Sequence, residues 1–460
     1  MSLNRRTFIR SAALAATGHF AGLRPFGAMN ALAQGAFPDY KALVCIFLFG
    51  GNDANNTVIP LGSGDNGYAN YASIRGSLAL SASSLLPLGL GANGEFGLHP
   101  SLNNPTYGGL QSLFNSGKAA IVANVGTLVA PTTPASFQNQ SVPVPNNLFS
   151  HPDQQLEWQN AEQNGAYPSG WAGRLADTWG STYGTNPQIP LITSLAGDSL
   201  FCNGSLTSPV AVAPGNLSGA SCSEGAACNV RNSAAQLLAN FQSGFSLVQA
   251  DMGITRNAYT YMKHMASAVQ SAPVVNTPFP PANPLAAQLQ QIAQIIAARS
   301  ALGVQRQIFF ASLGNFDTHA NQLSIQSQLL SFVGPAMASF YAATEELGLA
   351  NSVTSFTMSD FSRAFEPNSN YGTDHAWGSH HFVVGGAVAG GQIYGTFPTL
   401  ALGGPNDSGT NGRWVPTTAS FQYAAQLASW FGVTSAQLPI LFPYLQPNIF
   451  PPPANLAFMG

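Results

Sequence analysis

Five short runs limit what this chain can fold into more than anything else in it: Ala42–Phe49, Ala119–Gly126, Ile308–Leu313, Val353–Met358 and Phe382–Val388. The first and third are apolar almost throughout instead of alternating, which is the pattern of strands covered on both faces. Helical stretches fall between the runs, at about 98–116, from 154 onward, and at about 233–271, 285–296 and 329–340, and after the last of them at about 421–431. Strands alternating with helices predict an α/β fold whose mostly parallel central sheet is sandwiched by helices.

The segments bordering these runs carry chemistry. Gly50-Gly51-Asn52-Asp53 closes the first, Gly314-Asn315-Phe316-Asp317-Thr318-His319 the third and Ser359-Asp360-Phe361-Ser362-Arg363 the fourth. Gly372-Thr373-Asp374-His375-Ala376-Trp377-Gly378-Ser379-His380-His381 precedes the fifth and holds three of the eight histidines. Open α/β sheets bind ligands outside the carboxyl ends of their strands, so these segments predict one site along one sheet edge. Charged residues make up only 7% of the chain, so a gathering of carboxylates stands out. Carboxylates sharing a cleft repel one another, and a divalent cation is the usual remedy. Asp oxygens mixed with His nitrogens suit zinc or manganese, and two ions about 4 Å apart would activate a nucleophile and steady a phosphoryl or sulfuryl oxyanion. The candidate metal ligands are Asp53, Asp317, His319, Asp360, Asp374, His375 and His381. Asp53 reads equally well as a turn or helix-cap aspartate.

A Pro-, Asn- and Thr-rich loop at about 127–149 leads into Ser150-His151-Pro152-Asp153. Serine at the cap, proline in the first turn and an acid at the third position announce a helix start. The same place offers a hydroxyl where the positive helix end attracts an anion. Both readings stand.

The N-terminus reads as an address. Asn4-Arg5-Arg6-Thr7-Phe8-Ile9-Arg10, an apolar stretch and Ala31-Leu32-Ala33 together predict a twin-arginine signal peptide over residues 1–33, with 34–460 as one domain carrying an insertion at about 195–232. The translocase is then a partner in export, and the destination is periplasmic or secreted. Cleavage takes four arginines from a chain of formal net charge −3 and leaves −7, which argues against nucleic acid as a partner. No later apolar run reaches membrane-spanning length. An oxidising compartment favours one disulfide, either Cys222–Cys228 or Cys202 with one of that pair, while Cys45 reads as a buried thiol.

The twin-arginine leader, Phe49-Gly50-Gly51-Asn52-Asp53, Leu98-His99-Pro100, Ser150-His151, Gly170-Trp171-Ala172-Gly173-Arg174, Phe316-Asp317-Thr318-His319, Ser359-Asp360-Phe361-Ser362-Arg363 and Gly372-Thr373-Asp374-His375 together resemble a bacterial exported family, domain of unknown function fifteen-oh-one. The resemblance spans nearly the whole mature chain. That family looks like a branch of the alkaline phosphatase and sulfatase superfamily, which implies a three-layer fold with metals at the strands' carboxyl ends and a small anionic ester as substrate. Carried over in motif order, the resemblance implies Asp53 as first ligand and Ser150 at the nucleophile position; the catalytic candidates are Ser150, His151 and Arg363. It makes Asp317 and His319 the next ligand pair, Asp360 the ligand after the following strand, and His375 or His381 the last imidazole. The superfamily's Asp-His at the later strand is here Asp360-Phe361, which leaves one metal site incomplete, rebuilt with Asp374 or His380, or empty. The alternative is a non-catalytic exported or surface protein that retains the fold, with or without one metal.

Overall fold

A computed structural model describes residues 37–460, apart from 65, 90–94, 163–167, 216, 218–232, 234, 235, 238, 239, 242, 243, 447 and 451–455. The twin-arginine stretch, Cys222 and Cys228 lie outside the described residues. Cys45 and Cys202 are buried free thiols, which removes the disulfides drawn through Cys202.

The main sheet is built from β1 (Lys41–Leu48), β2 (Ala119–Gly126), β3 (Ile192–Ser194), β4 (Val210–Ala211), β5 (Arg306–Leu313), β6 (Val353–Ser359), β7 (Ser379–Gly385), β8 (Ile393–Gly395) and β9 (Thr418–Ala419). Its order is β8-β2-β7-β6-β1-β5-β3-β4, with β9 also pairing to β2. Every pairing is parallel except the two that β7 makes, with β6 and with β2. The described part of the insertion therefore supplies an edge strand, β4, to the main sheet.

The unbroken apolar reading is explained by the position of β1 at the sheet's centre, where Ala42 to Leu48 are all buried. One face is covered by α3 (His151–Asn160), α4 (Trp171–Trp179) and α8 (Ser420–Phe431), with Trp171 and Tyr423 packed on Phe356 of β6. The other face is covered by α2 (Leu110–Asn115), α6 (Pro284–Ala297) and α7 (Gln322–Glu346). The result is a three-layer α/β fold. Among the described residues α5 (Ser246–Ser271) leans on α6, and no helix is long and apolar enough to cross a membrane.

Two sequence expectations change. The helix expected from residue 98 forms only as α2; before it come a short strand, a 3-10 turn at Pro100–Leu102 and a two-residue ribbon, because prolines and the Gly108-Gly109 pair interrupt helical hydrogen bonding. The fifth strand starts at Ser379 and not at Phe382, so His380 and His381 lie inside β7. Neighbouring strand residues point to opposite faces, which separates the two imidazoles.

Candidate metal centre

Because β1, β5 and β6 run parallel and β7 runs antiparallel beside β6, the ends of the first three and the start of the fourth meet on one sheet edge. Two glycines let the loops close there. Gly50 and Gly51 have φ of +111° and +79°, in the left-handed region that favours glycine. A Cβ on Gly50 would sit 2.5 Å from the Asp317 nitrogen, and one on Gly51 2.6 Å from the Phe361 ring. The first two strand-end loops are locked by Phe49 N–H donating to Leu313 O and Phe316 N–H donating to Phe49 O.

At the centre stands Asp317. Its Oδ1 lies 3.3 Å from His151 Nε2, 3.0 Å from His319 Nε2 and 3.4 Å from His375 Nε2, and it accepts from the Arg363 guanidinium. The His319 and His375 Nε2 atoms are 2.8 Å apart. The ligand atoms of His151, Asp317 and His375 all fall within 4.8 Å of one another. Phe361 forms a floor, its ring centroid 4.8 Å from those of His151 and His375. Asp317 and His319 side chains are 45% exposed and Asp374 57%, so the centre opens to solvent on that side.

Each imidazole is held from behind. His375 Nδ1 is 2.7 Å from the Phe149 carbonyl, which can only accept, so this nitrogen carries hydrogen. Burial holds His375 below the usual histidine value, leaving a neutral ring whose Nε2 lone pair faces the cluster. His151 Nδ1 is 2.7 Å from Asp360 Oδ2. That hydrogen bond, opposed by burial and helped by the charges of Asp360 and Asp317, raises the His151 pKa. His151 Nε2 is buried without the alignment of a hydrogen bond, despite its closeness to Asp317. His319 Nδ1 lies 3.4 Å from Asp374 Oδ1 at the rim. Burial pushes the Asp317 carboxyl up, but Arg363, His151 and His319 outweigh it and hold the pKa low.

The other candidates sit elsewhere or face other partners. Asp53 is wholly buried in an ion pair with Arg75, accepts from Gln322 Nε2 and from Asn55 N, and caps the 3-10 turn Ala54–Asn56. Both Asp53 oxygens are thus engaged, one by Asn55 and the other by Arg75 and Gln322, and the cap reading describes it. Asp360 is buried with both oxygens engaged: Oδ2 by His151 and by Gln155 Nε2 at 2.8 Å, Oδ1 by Gly50 N at 3.2 Å. Arg363 is wholly buried, so its contact is with Asp317 and not with solvent. Ser150 caps α3 by position, yet its hydroxyl donates to Asp153 Oδ2 at 2.5 Å. His381 packs between Trp158 of α3 and Tyr423 of α8, on the opposite face from His380, whose Nδ1 accepts from Asn124 N. Strand alternation thus keeps His381 out of the cluster, and of the two imidazoles considered for the last position His375 is the one brought to Asp317.

Sequence reasoning missed the Phe149 carbonyl, Gln155, Arg75 and Gln322. Gln155 had a signal, since it follows His151 by one helical turn and shares its face. The backbone carbonyl and the Arg75 pairing had none.

A family profile described as "Protein of unknown function (DUF1501)" matches residues 40–408. The chain belongs to that family. The matched region of this DUF1501 member contains all the cluster residues. A search of curated proteins finds no match. Among solved structures, a PsFucS1 sulfatase from Pseudoalteromonas sp. is 8% identical, with 93% of this chain and 74% of that chain covered at a TM-score of 0.34. BT1596, a 2-O GAG sulfatase, is 11% identical, with 89% and 75% covered at 0.30. Wild-type alkaline phosphatase PafA is 11% identical, with 72% and 64% covered at 0.27.

Proposed function

We propose that this chain is an exported metal-dependent hydrolase of phosphate or sulfate esters, with a divalent cation, zinc or manganese, held by Asp317, His151 and His375, and His319 as a fourth donor. The carrying observation is the spacing of the inward-facing donor atoms. Tetrahedral ligation at about 2.1 Å sets ligand atoms about 3.4 Å apart, and Asp317 Oδ1 lies 3.3 Å and 3.4 Å from the His151 and His375 nitrogens. The neutral His375 ring and the unpartnered His151 Nε2 supply the donors such an ion takes. When bound there, a divalent cation supplies Lewis acidity toward an anionic ester.

The chain's own residues do the rest. His319 and Asp374 form the solvent-facing rim where a small ester would enter. Arg363 fixes Asp317 from the buried side and offsets its charge. Water is the nucleophile in this reading, because the Ser150 hydroxyl is held by Asp153. The twin-arginine run supports export through the translocase to the periplasm or beyond.

The test is ion uptake by the metal-free exported chain, followed by hydrolysis of 4-nitrophenyl phosphate and sulfate with zinc or manganese added. Uptake and turnover that both disappear in His375→Ala support the proposal. Turnover unchanged in that variant, or no uptake by the natural chain, ends it. A second reading, an exported protein without turnover, is favoured by the Arg363 contact, which already offsets the Asp317 charge without a metal; ion-free, inactive protein would select it.

A further inference from the structure

We propose that Asp360 is a positioning residue and not a metal ligand: its carboxylate fixes His151 with hydrogen on Nδ1, so that Nε2 faces Asp317 and His375 as a bare donor. The inference deepens the metal-site reading, and its affinity arm rests on that reading.

The geometry separates Asp360 from the centre. The two ring nitrogens of an imidazole point to different sides, and Asp360 Oδ2 is on the Nδ1 side at 2.7 Å. An ion bonded to Nε2 lies across the ring, beyond coordination distance of that oxygen. Nor is either Asp360 oxygen free to turn. Gln155, four residues after His151 on α3, donates to Oδ2, and the Gly50 amide donates to Oδ1. Those donors hold the carboxylate in its acceptor role, and the only hydrogen it can take from His151 is the one on Nδ1. Phe361 packs against the ring face and blocks rotation. A carboxylate behind a ligating histidine fixes its tautomer and raises its basicity, and losing one costs about ten- to hundredfold in metal affinity.

Two measurements test this, one of them independent of any metal. In the metal-free chain, long-range proton–nitrogen correlation of labelled histidine, at a pH where His151 is neutral, should show hydrogen on Nδ1 of His151. Hydrogen on Nε2 instead overturns the proposal. For the second, zinc titration of Asp360→Ala should show affinity down by about ten- to hundredfold, with X-ray absorption reporting the same number of nitrogen and oxygen donors as the natural chain. The isosteric Asp360→Asn, chosen to preserve packing, should also bind more weakly with the same donor count. Loss of one oxygen donor, or unchanged affinity in both variants, overturns the proposal. If the natural chain takes up no cation while its His151 shows the Nδ1 tautomer, the metal reading falls and the positioning role stands.

Discussion

Replacing Arg75 by methionine removes the side-chain cation that, among the described residues, is bonded to Asp53, a carboxylate with no exposure of its own, at a position where a hydrophobic side chain of similar reach can still fill the space. Two charges near 4 Å at an effective dielectric of 20 attract by about 4 kcal/mol. Arg75 also donates to Asn56 Oδ1 and to the carbonyls of Ala364 and Phe365, bonds of about 1 kcal/mol net apiece. Relaxation returns part of this, and removal of one partner from a buried pair costs about 3–5 kcal/mol, so Arg75→Met should lose that much. Asp53→Asn leaves a single acceptor oxygen where the carboxylate used one for Asn55 and the other for Arg75 and Gln322, and it strands the buried Arg75 cation, so it should lose a comparable amount. The double variant, with neither charge left buried, should recover most of the Arg75→Met loss, since replacing both members of a buried pair is often close to neutral. Urea unfolding followed by tryptophan fluorescence measures all three, and zinc uptake by Asp53→Asn measures the site. An Arg75→Met loss under about 1 kcal/mol, or an Asp53→Asn protein that no longer takes up zinc, would refute the assignment of Asp53 to an ion pair behind the site.

Acid should destabilise the chain through its buried histidines. Burial lowers His99 and His380 to about 4 and His381 to about 3, so between pH 6.5 and those values the unfolded chain binds protons that the folded chain refuses. Stability then falls with falling pH by up to about 1.4 kcal/mol per unit for each histidine; His381→Phe should lose less melting temperature than the natural chain between pH 7 and 5, and parallel curves would contradict this. His151 works in the opposite sense: its raised pKa adds stability that is present below 6.5 and fades as pH rises through the folded value. Gly50→Ala places a methyl 2.5 Å from the Asp317 nitrogen on a left-handed backbone, at a cost of about 1–3 kcal/mol, and should also weaken zinc uptake by displacing the Asp317 loop. Ser150→Ala should leave ester hydrolysis within about tenfold, because the hydroxyl it removes is held by Asp153 and is not the nucleophile; a collapse of kcat with the fold intact would restore the serine as nucleophile.

Much of this protein can be derived from local pattern. The unbroken apolar runs gave the sheet interior, the glycines and aspartates after them gave the edge where polar groups collect, and Ser150-His151-Pro152-Asp153 gave the start of α3, because strand burial and helix capping depend on neighbours a few residues away. Which groups meet across that edge depends on contacts between distant parts of the chain. Only the tertiary structure set Asp53 against Arg75 and Asp317 against Arg363, so that guanidinium groups offset charges the sequence had assigned to ions. Only the register of β7 turned His381 into the helix layer, while the bridge between Arg363 and His375 brought the latter to the centre. Residue type announces that charge must be balanced; the partner that balances it is chosen by whichever side chain the fold carries within a few ångströms.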